Sequence, residues 1–184
     1  MGYNAARKCP GMIDKETAMD KRAAIIERAE MLARFSGRIS AAPSPETLKR
    51  ADTIASGSIY FYNVTPVEIG TKDIDWTGGQ IAHQEWRAQL NRFFCLAPLA
   101  SAYRETGGGK YAQAARNFIE DWIDFNAPFL DRDELNPGDN TLNLCIRLGT
   151  SVQPGWGGTL PVFLESPSFD DAFLEKMLDR KCVV

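Results

Sequence analysis

The chain has 184 residues, enough for one ordinary domain, with 44% apolar and 24% charged residues; that balance fits neither a disordered segment nor a membrane span. A net charge of -3 argues against a nucleic-acid protein that depends on a large positive field. One histidine and four scattered cysteines leave little room for a zinc site, and no cofactor is expected.

The first residues carry Arg7 and Lys8 but no apolar run after them, so no export signal is read there. Residues 1–50 hold ten Lys and Arg against six Asp and Glu, whereas 51–184 hold eleven against eighteen. A basic amphipathic opening helix on an acidic body explains this asymmetry; a basic arm for a polyanion is the functional alternative. The spacing of Ile25, Ala29 and Leu32 predicts a helix over about 17–35, ended by Gly37. Ser44-Pro45-Glu46 reads as a helix start, with Ser as N-cap, Pro at the first helical position and Glu at the positive dipole end. Leu48, Ala51, Ile54 and Ala55 form that helix's apolar face before Gly57.

Residues 59–69 break the helical period and suit short extended segments around Pro66. Residues 73–79 read as a loop. From about Gln84 to Thr106, Trp86, Leu90, Phe93, Phe94, Ala97, Ala100 and Tyr103 recur at spacings of three and four, which predicts one long helix kinked at Pro98. Gly107-Gly108-Gly109 then turns the chain into a second helix over about 110–125, closed by Pro128; so short a turn makes the pair antiparallel. A shorter helix is expected over 140–150 with Leu144 and Leu148 on one side. Ser168 is expected to cap a last helix that buries Phe173, Met177 and Leu178. Cys95 and Cys145 lie in apolar runs and read as buried small hydrophobes.

Several motifs invite chemistry. Gly107-Gly108-Gly109-Lys110 lacks the spacing and the Ser/Thr of a phosphate loop, and a helix–helix turn explains it better. His83 precedes a helix, where a capping role is the default. Asp73, Asp75 and Glu85 could pair as glycosidase carboxylates, but solvated loop charges are the simpler reading. Trp86 and Trp122 fall on helix stripes and read as core. Trp76 and Trp156 sit in Gly-containing loops, where an aromatic ring either packs over the core edge or stacks on a sugar face. Arg92 and Arg147 interrupt apolar helical runs. Each must find a carboxylate, reach solvent, or point into a polar groove that binds a ligand carboxylate or sulfate.

Taken in order, Ile74-Asp75-Trp76, Glu85-Trp86, Leu90-Asn91-Arg92, Ala102-Tyr103, Thr106-Gly107, Lys110-Tyr111-Ala112 and Asp121-Trp122-Ile123 resemble the N-terminal domain of heparinase II/III-type (alginate lyase-like) polysaccharide lyases. Upstream, Arg50-Ala51-Asp52-Thr53-Ile54 with Phe61, and downstream, Ile146-Arg147-Leu148 and Phe163-Leu164-Glu165-Ser166, extend the resemblance over about 45–180. It implies an all-α fold, a partial (α/α) toroid of antiparallel helix pairs over 45–184, preceded by an N-terminal helix and linker over 1–44. It implies β-elimination at a uronic acid, with the toroid supplying part of the cleft for acidic polysaccharide. The family's Asn/His and Tyr motifs are expected beyond Val184, so no catalytic residue is assigned here and the chain reads as truncated. Its partners are then acidic polysaccharide and the missing C-terminal part of the lyase, with no nucleic acid and no membrane. The resemblance places such a protein in the periplasm or outside the cell. Thr150-Ser151-Val152 stands where the family usually has a tryptophan. The substrate-binding residues that the resemblance points to are Trp76, Asn91, Arg92 and Arg147, with the two arginines on the sugar carboxylate and Trp76 stacking. A non-enzymatic scaffold of stacked helix pairs is the alternative, although no repeat of about 34 residues is present.

Overall fold

The computed structural model describes residues 18–39, 42–130 and 141–179. Cys9, Cys182 and the segment 131–140 lie outside them, as do the side chains of Leu32 and Leu178. In chain order the elements are α1 (Ala18–Ala33), α2 (Pro45–Ala55), β1 (Ser58–Phe61), β2 (Thr65–Glu68), α3 (Gln84–Asn91), α4 (Leu96–Thr106), α5 (Gly109–Leu130), α6 (Thr141–Leu148), α7 (Gly155–Phe163) and α8 (Asp171–Asp179). The protein is thus mostly helical, as the sequence predicts. None of the described helices is long and apolar enough to cross a membrane.

α4 is the central rod. It packs against α2, α5 and α7, and α1 packs against α7. Ser44 caps α2 as expected, its Oγ accepting the Thr47 N–H at 3.2 Å. β1 and β2 pair antiparallel in the register Ile59 to Val67 and Tyr60 to Pro66. Their turn places Tyr62 and Asn63 at positive φ, which matches the right-handed twist of a hairpin. Gln89 Oε1 accepts the Tyr62 N–H at 2.9 Å and ties the hairpin to α3. Gly107 takes the left-handed conformation and donates its N–H to Tyr103 O at 2.7 Å, so α4 and α5 turn back on each other.

Several expectations need correction, the burial of Cys145 among them. The run from Gln84 to Thr106 is two helices, and Pro98 is not the break. Pro98 sits in the first turn of α4, where a missing N–H costs nothing; the chain breaks at Phe93, whose φ is +58°. Pro128 does not close α5 either, because the helix runs on to Leu130. On α6 the face turned inward is the polar one: Asn143 and Arg147 are buried, while Leu142, Leu144 and Cys145 are exposed. Cys95 is buried as expected, and burial pushes its thiol up to about 12.

The turn between α7 and α8 is held from both sides by arginines. Arg22 of α1 donates to Leu164 O at 2.7 Å and Phe169 O at 3.2 Å and pairs with Asp171. Arg116 of α5 donates to Ser168 O at 2.8 Å and pairs with Asp170. Asp170, rather than Ser168, caps α8 by accepting the Phe173 N–H at 2.8 Å; that bond and Arg116 hold its carboxyl below the usual range.

Candidate functional site

The break at Phe93 has a purpose in packing. It swings the Phe93 ring into the centre of an aromatic cluster. Trp76 stacks on it at 5.3 Å, while Trp122 and Trp156 meet it edge-on at 5.9 and 5.3 Å. Edge-to-face and offset geometries suit the quadrupoles of such rings.

Buried indoles need acceptors, and the sequence supplies them. Trp122 Nε1 donates to Asn91 Oδ1 at 2.9 Å. Asn91 Nδ2 in turn donates to Trp76 O at 3.1 Å and Arg87 O at 2.9 Å, so both ends of its amide are engaged. Trp76 Nε1 donates to Asp121 Oδ1 at 2.8 Å. Asp121 also accepts the Asp73 and Ile74 N–H groups at 2.6 and 3.1 Å, which fixes the 73–79 loop against α5. Trp86 Nε1 donates to Gln80 Oε1 at 2.8 Å. Trp156 differs: its Nε1 is buried without an acceptor among the described residues.

Two arginines stand at this cluster. Arg147 is 1% exposed, and its guanidinium carbon lies 4.4 Å from the centre of the Trp122 ring, a cation–π contact in a desolvated setting. Arg92 caps α3, and its side chain retains 14% of its exposure. Its Nε donates to Asn143 Oδ1 at 2.9 Å, and Glu85 lies 3.7 Å from its Nη1. The inward polar face of α6 therefore has a reason: Asn143 orients Arg92, and Arg147 packs on the indole wall behind it.

Of the four residues singled out from the sequence, the structure brings all four to one region but gives them different parts. Trp76 is 1% exposed, with Phe93 stacked on its ring and its N–H engaged, so no ring face is open to a sugar in this arrangement. Trp156 is likewise buried, in the first turn of α7 rather than in a loop. Asn91 is a buried hub. Arg92 alone of the four retains a partly open side chain. Asn143 escaped the sequence reading, and Asp121 entered it only within the Asp121-Trp122-Ile123 fragment, with no part assigned; the signal available for Asn143 was its spacing of four from Arg147, which puts both on one face of α6.

The other candidates have structural duties. His83 caps α3, its Nδ1 accepting the Glu85 N–H at 3.2 Å. Asp75 closes its own loop by accepting the Thr77 and Gly79 N–H groups at 2.9 and 3.1 Å. The Thr77 hydroxyl and these amides hold its carboxyl below the usual range. No group of three or more His, Cys, Asp or Glu able to hold a metal ion occurs among the described residues.

Comparison with known proteins agrees with this architecture. A heparin-sulfate lyase of Bacteroides stercoris is 31% identical over 58% of this chain and 18% of its own length. The crystal structure of heparan sulfate lyase HepC from Pedobacter heparinus is similar with a TM-score of 0.64 and 25% identity, over 86% of this chain and 26% of that one. A mutant of the same lyase matches at 0.56 and 21% identity, over 88% of this chain and 26% of that one, which speaks for the fold alone. The chain thus spans about a quarter or less of the length of these relatives. Residues 38–182 match the family described as Heparinase II/III N-terminus, and the chain belongs to that family.

Proposed function

We propose that this chain supplies part of the substrate cleft of a polysaccharide lyase that cleaves uronic-acid-containing polysaccharide by β-elimination. Residues 45–184 form the toroid portion, and the Asn/His and Tyr chemistry belongs to the rest of the lyase. The observation that carries the reading is Arg92: a guanidinium kept partly open and oriented by Asn143 on a rigid indole wall. A planar fork held in place is the group that best matches a carboxylate or sulfate. Arg147, buried behind it, adds positive potential without touching the ligand; Trp76 and Asn91 position the wall. Membership in the family supports this reading over a helical-repeat scaffold.

Titration calorimetry of the chain with heparin and with alginate tests it. Binding of either polymer is expected, weakening as salt rises. Arg92→Ala is expected to lower affinity at least about tenfold, the worth of one lost hydrogen bond to a charged group, while the protein stays folded. Arg92→Lys, which keeps the charge and loses the fork, should fall between. Absence of binding to both polymers refutes the reading; unfolding of both variants would make Arg92 structural.

A further inference from the structure

A second cationic surface lies away from this cluster. α1, the segment after it, α4 and α7 enclose a hollow of about 520 Å³ rimmed by Arg34, Arg38 and Arg104. One carboxylate, Glu30, faces the same hollow. A second hollow of about 390 Å³ shares Arg104 and Pro161 with the first and continues past Tyr103 to Gly107, with Glu165 on its edge. The two hollows adjoin at Arg104 and Pro161, so a groove runs from the arginines of the first to Tyr103 and Glu165 of the second. Asn91, Arg92, Asn143 and Arg147 line neither hollow.

The arginines are set on a fixed frame. Gly37, between Arg34 and Arg38, donates its N–H to Thr150 O at 2.6 Å. A Cβ on Gly158 would lie 2.6 Å from Gly37 O, so this segment rests on α7 backbone to backbone, an approach only glycine permits. Arg104 Nη2 donates to Ile39 O at 3.1 Å and fastens the other end. Four other basic side chains face carboxylates: Arg22 meets Asp171, Arg116 meets Asp170, Lys110 meets Asp52, and Lys176 meets Glu120 and Asp124. Arg34 and Arg38 are exposed and form no ion pair among the described residues.

We infer that this groove is a separate binding site for a segment of anionic saccharide, its acidic groups on Arg34 and Arg38 and a sugar ring against Tyr103. It gives a role to Arg34 and Arg38, two of the ten basic residues in the opening of the sequence. The inference rests on the polysaccharide reading above but not on Arg92. A groove of this kind would hold the polymer at a second point, raising its effective concentration at the cleft.

The test compares the wild type, Arg34→Ala/Arg38→Ala and Arg92→Ala for binding to heparin, alginate and polyglutamate across a salt series. The double variant is expected to bind heparin or alginate about three- to tenfold more weakly near 0.1 M salt. Its log–log salt dependence should be shallower by about one to two, one unit per lost contact at most. Its melting temperature should stay within about 2 °C of the wild type, as for exposed unpaired residues. Equal saccharide affinity in the double variant and the wild type overturns the groove while leaving Arg92 untouched. Polyglutamate binding that equals saccharide binding, and falls equally in the double variant, also overturns it by making the patch a general anion sink. Failure of the wild type to bind any saccharide overturns the groove together with the reading it rests on. The pattern that supports it is a saccharide-selective loss in the double variant, whatever Arg92→Ala shows. A stronger loss on heparin would assign sulfate, and a stronger loss on alginate would assign carboxylate.

Discussion

The indole cluster and the arginine groove handle charge and polarity in opposite ways. Around Asn91 the polar atoms are buried and matched: two indole N–H groups, an amide and a carboxylate answer one another across α3, the 73–79 loop and α5. Around Gly37 the backbone is matched, while the guanidiniums of Arg34 and Arg38 face water. A buried polar network specifies one packing and is costly to break. Exposed cations add little to stability and remain available to a ligand. The sequence fragments that resemble the lyase family meet in the first region: Trp76 with Asp121, and Asn91 with both Trp76 and Trp122. They mark the fold more than they mark contacts with substrate.

The comparison is broken most sharply at Asn91. Asn91→Ala strands the buried Trp122 N–H and Trp76 carbonyl and removes a further bond to the half-buried Arg87 carbonyl. It should cost about 3–5 kcal/mol, a large part of the stability of a domain this size, and be read as a steep loss in denaturant midpoint. If Asn91→Ala melts like the wild type, Asn91 is not the hub of this network and the Asp121 bonds hold the loop without it.

A finer cut separates two neighbouring tryptophans of equal volume. Trp122→Phe leaves Asn91 Oδ1 without its donor, whereas Trp156→Phe removes a donor that has no acceptor among the described residues. Both lose ring area, so the difference reads the Asn91 hydrogen bond together with the Arg147 contact on the Trp122 ring. Trp122→Phe should be the less stable by about 1–3 kcal/mol in urea unfolding. The smallest effect is expected in the groove, where Arg34→Ala/Arg38→Ala changes stability by less than about 0.5 kcal/mol while changing saccharide binding.

Much of this was legible before any coordinates. The Ser44 cap, the Gly107 turn, the core stripes of α4 and α5 and the capping role of His83 all follow from local rules, and locally determined features are the readable ones. The break at Phe93 was not readable. A non-glycine residue at positive φ is chosen by the tertiary cluster it fills, and nothing local marks it. The polar inward face of α6 misled for a related reason: hydrophobic periodicity cannot foresee that Arg147 packs on an indole and that Asn143 holds Arg92. Trp76 was placed correctly in a loop, yet its burial depends on Asp121, 45 residues away.

The central claim is that this wall meets saccharide through guanidiniums, with the indoles behind them. The most direct measurement follows the arginine Nε and tryptophan Nε1 resonances by ¹⁵N NMR during titration with a heparin oligosaccharide. The account predicts that Arg92 moves, with Arg34 and Arg38 moving as a second set, while the indole signals of Trp76 and Trp122 stay in place. Movement of the Trp76 and Trp122 indoles with the arginine signals unchanged would contradict it, and would put the sugar on the aromatic cluster instead.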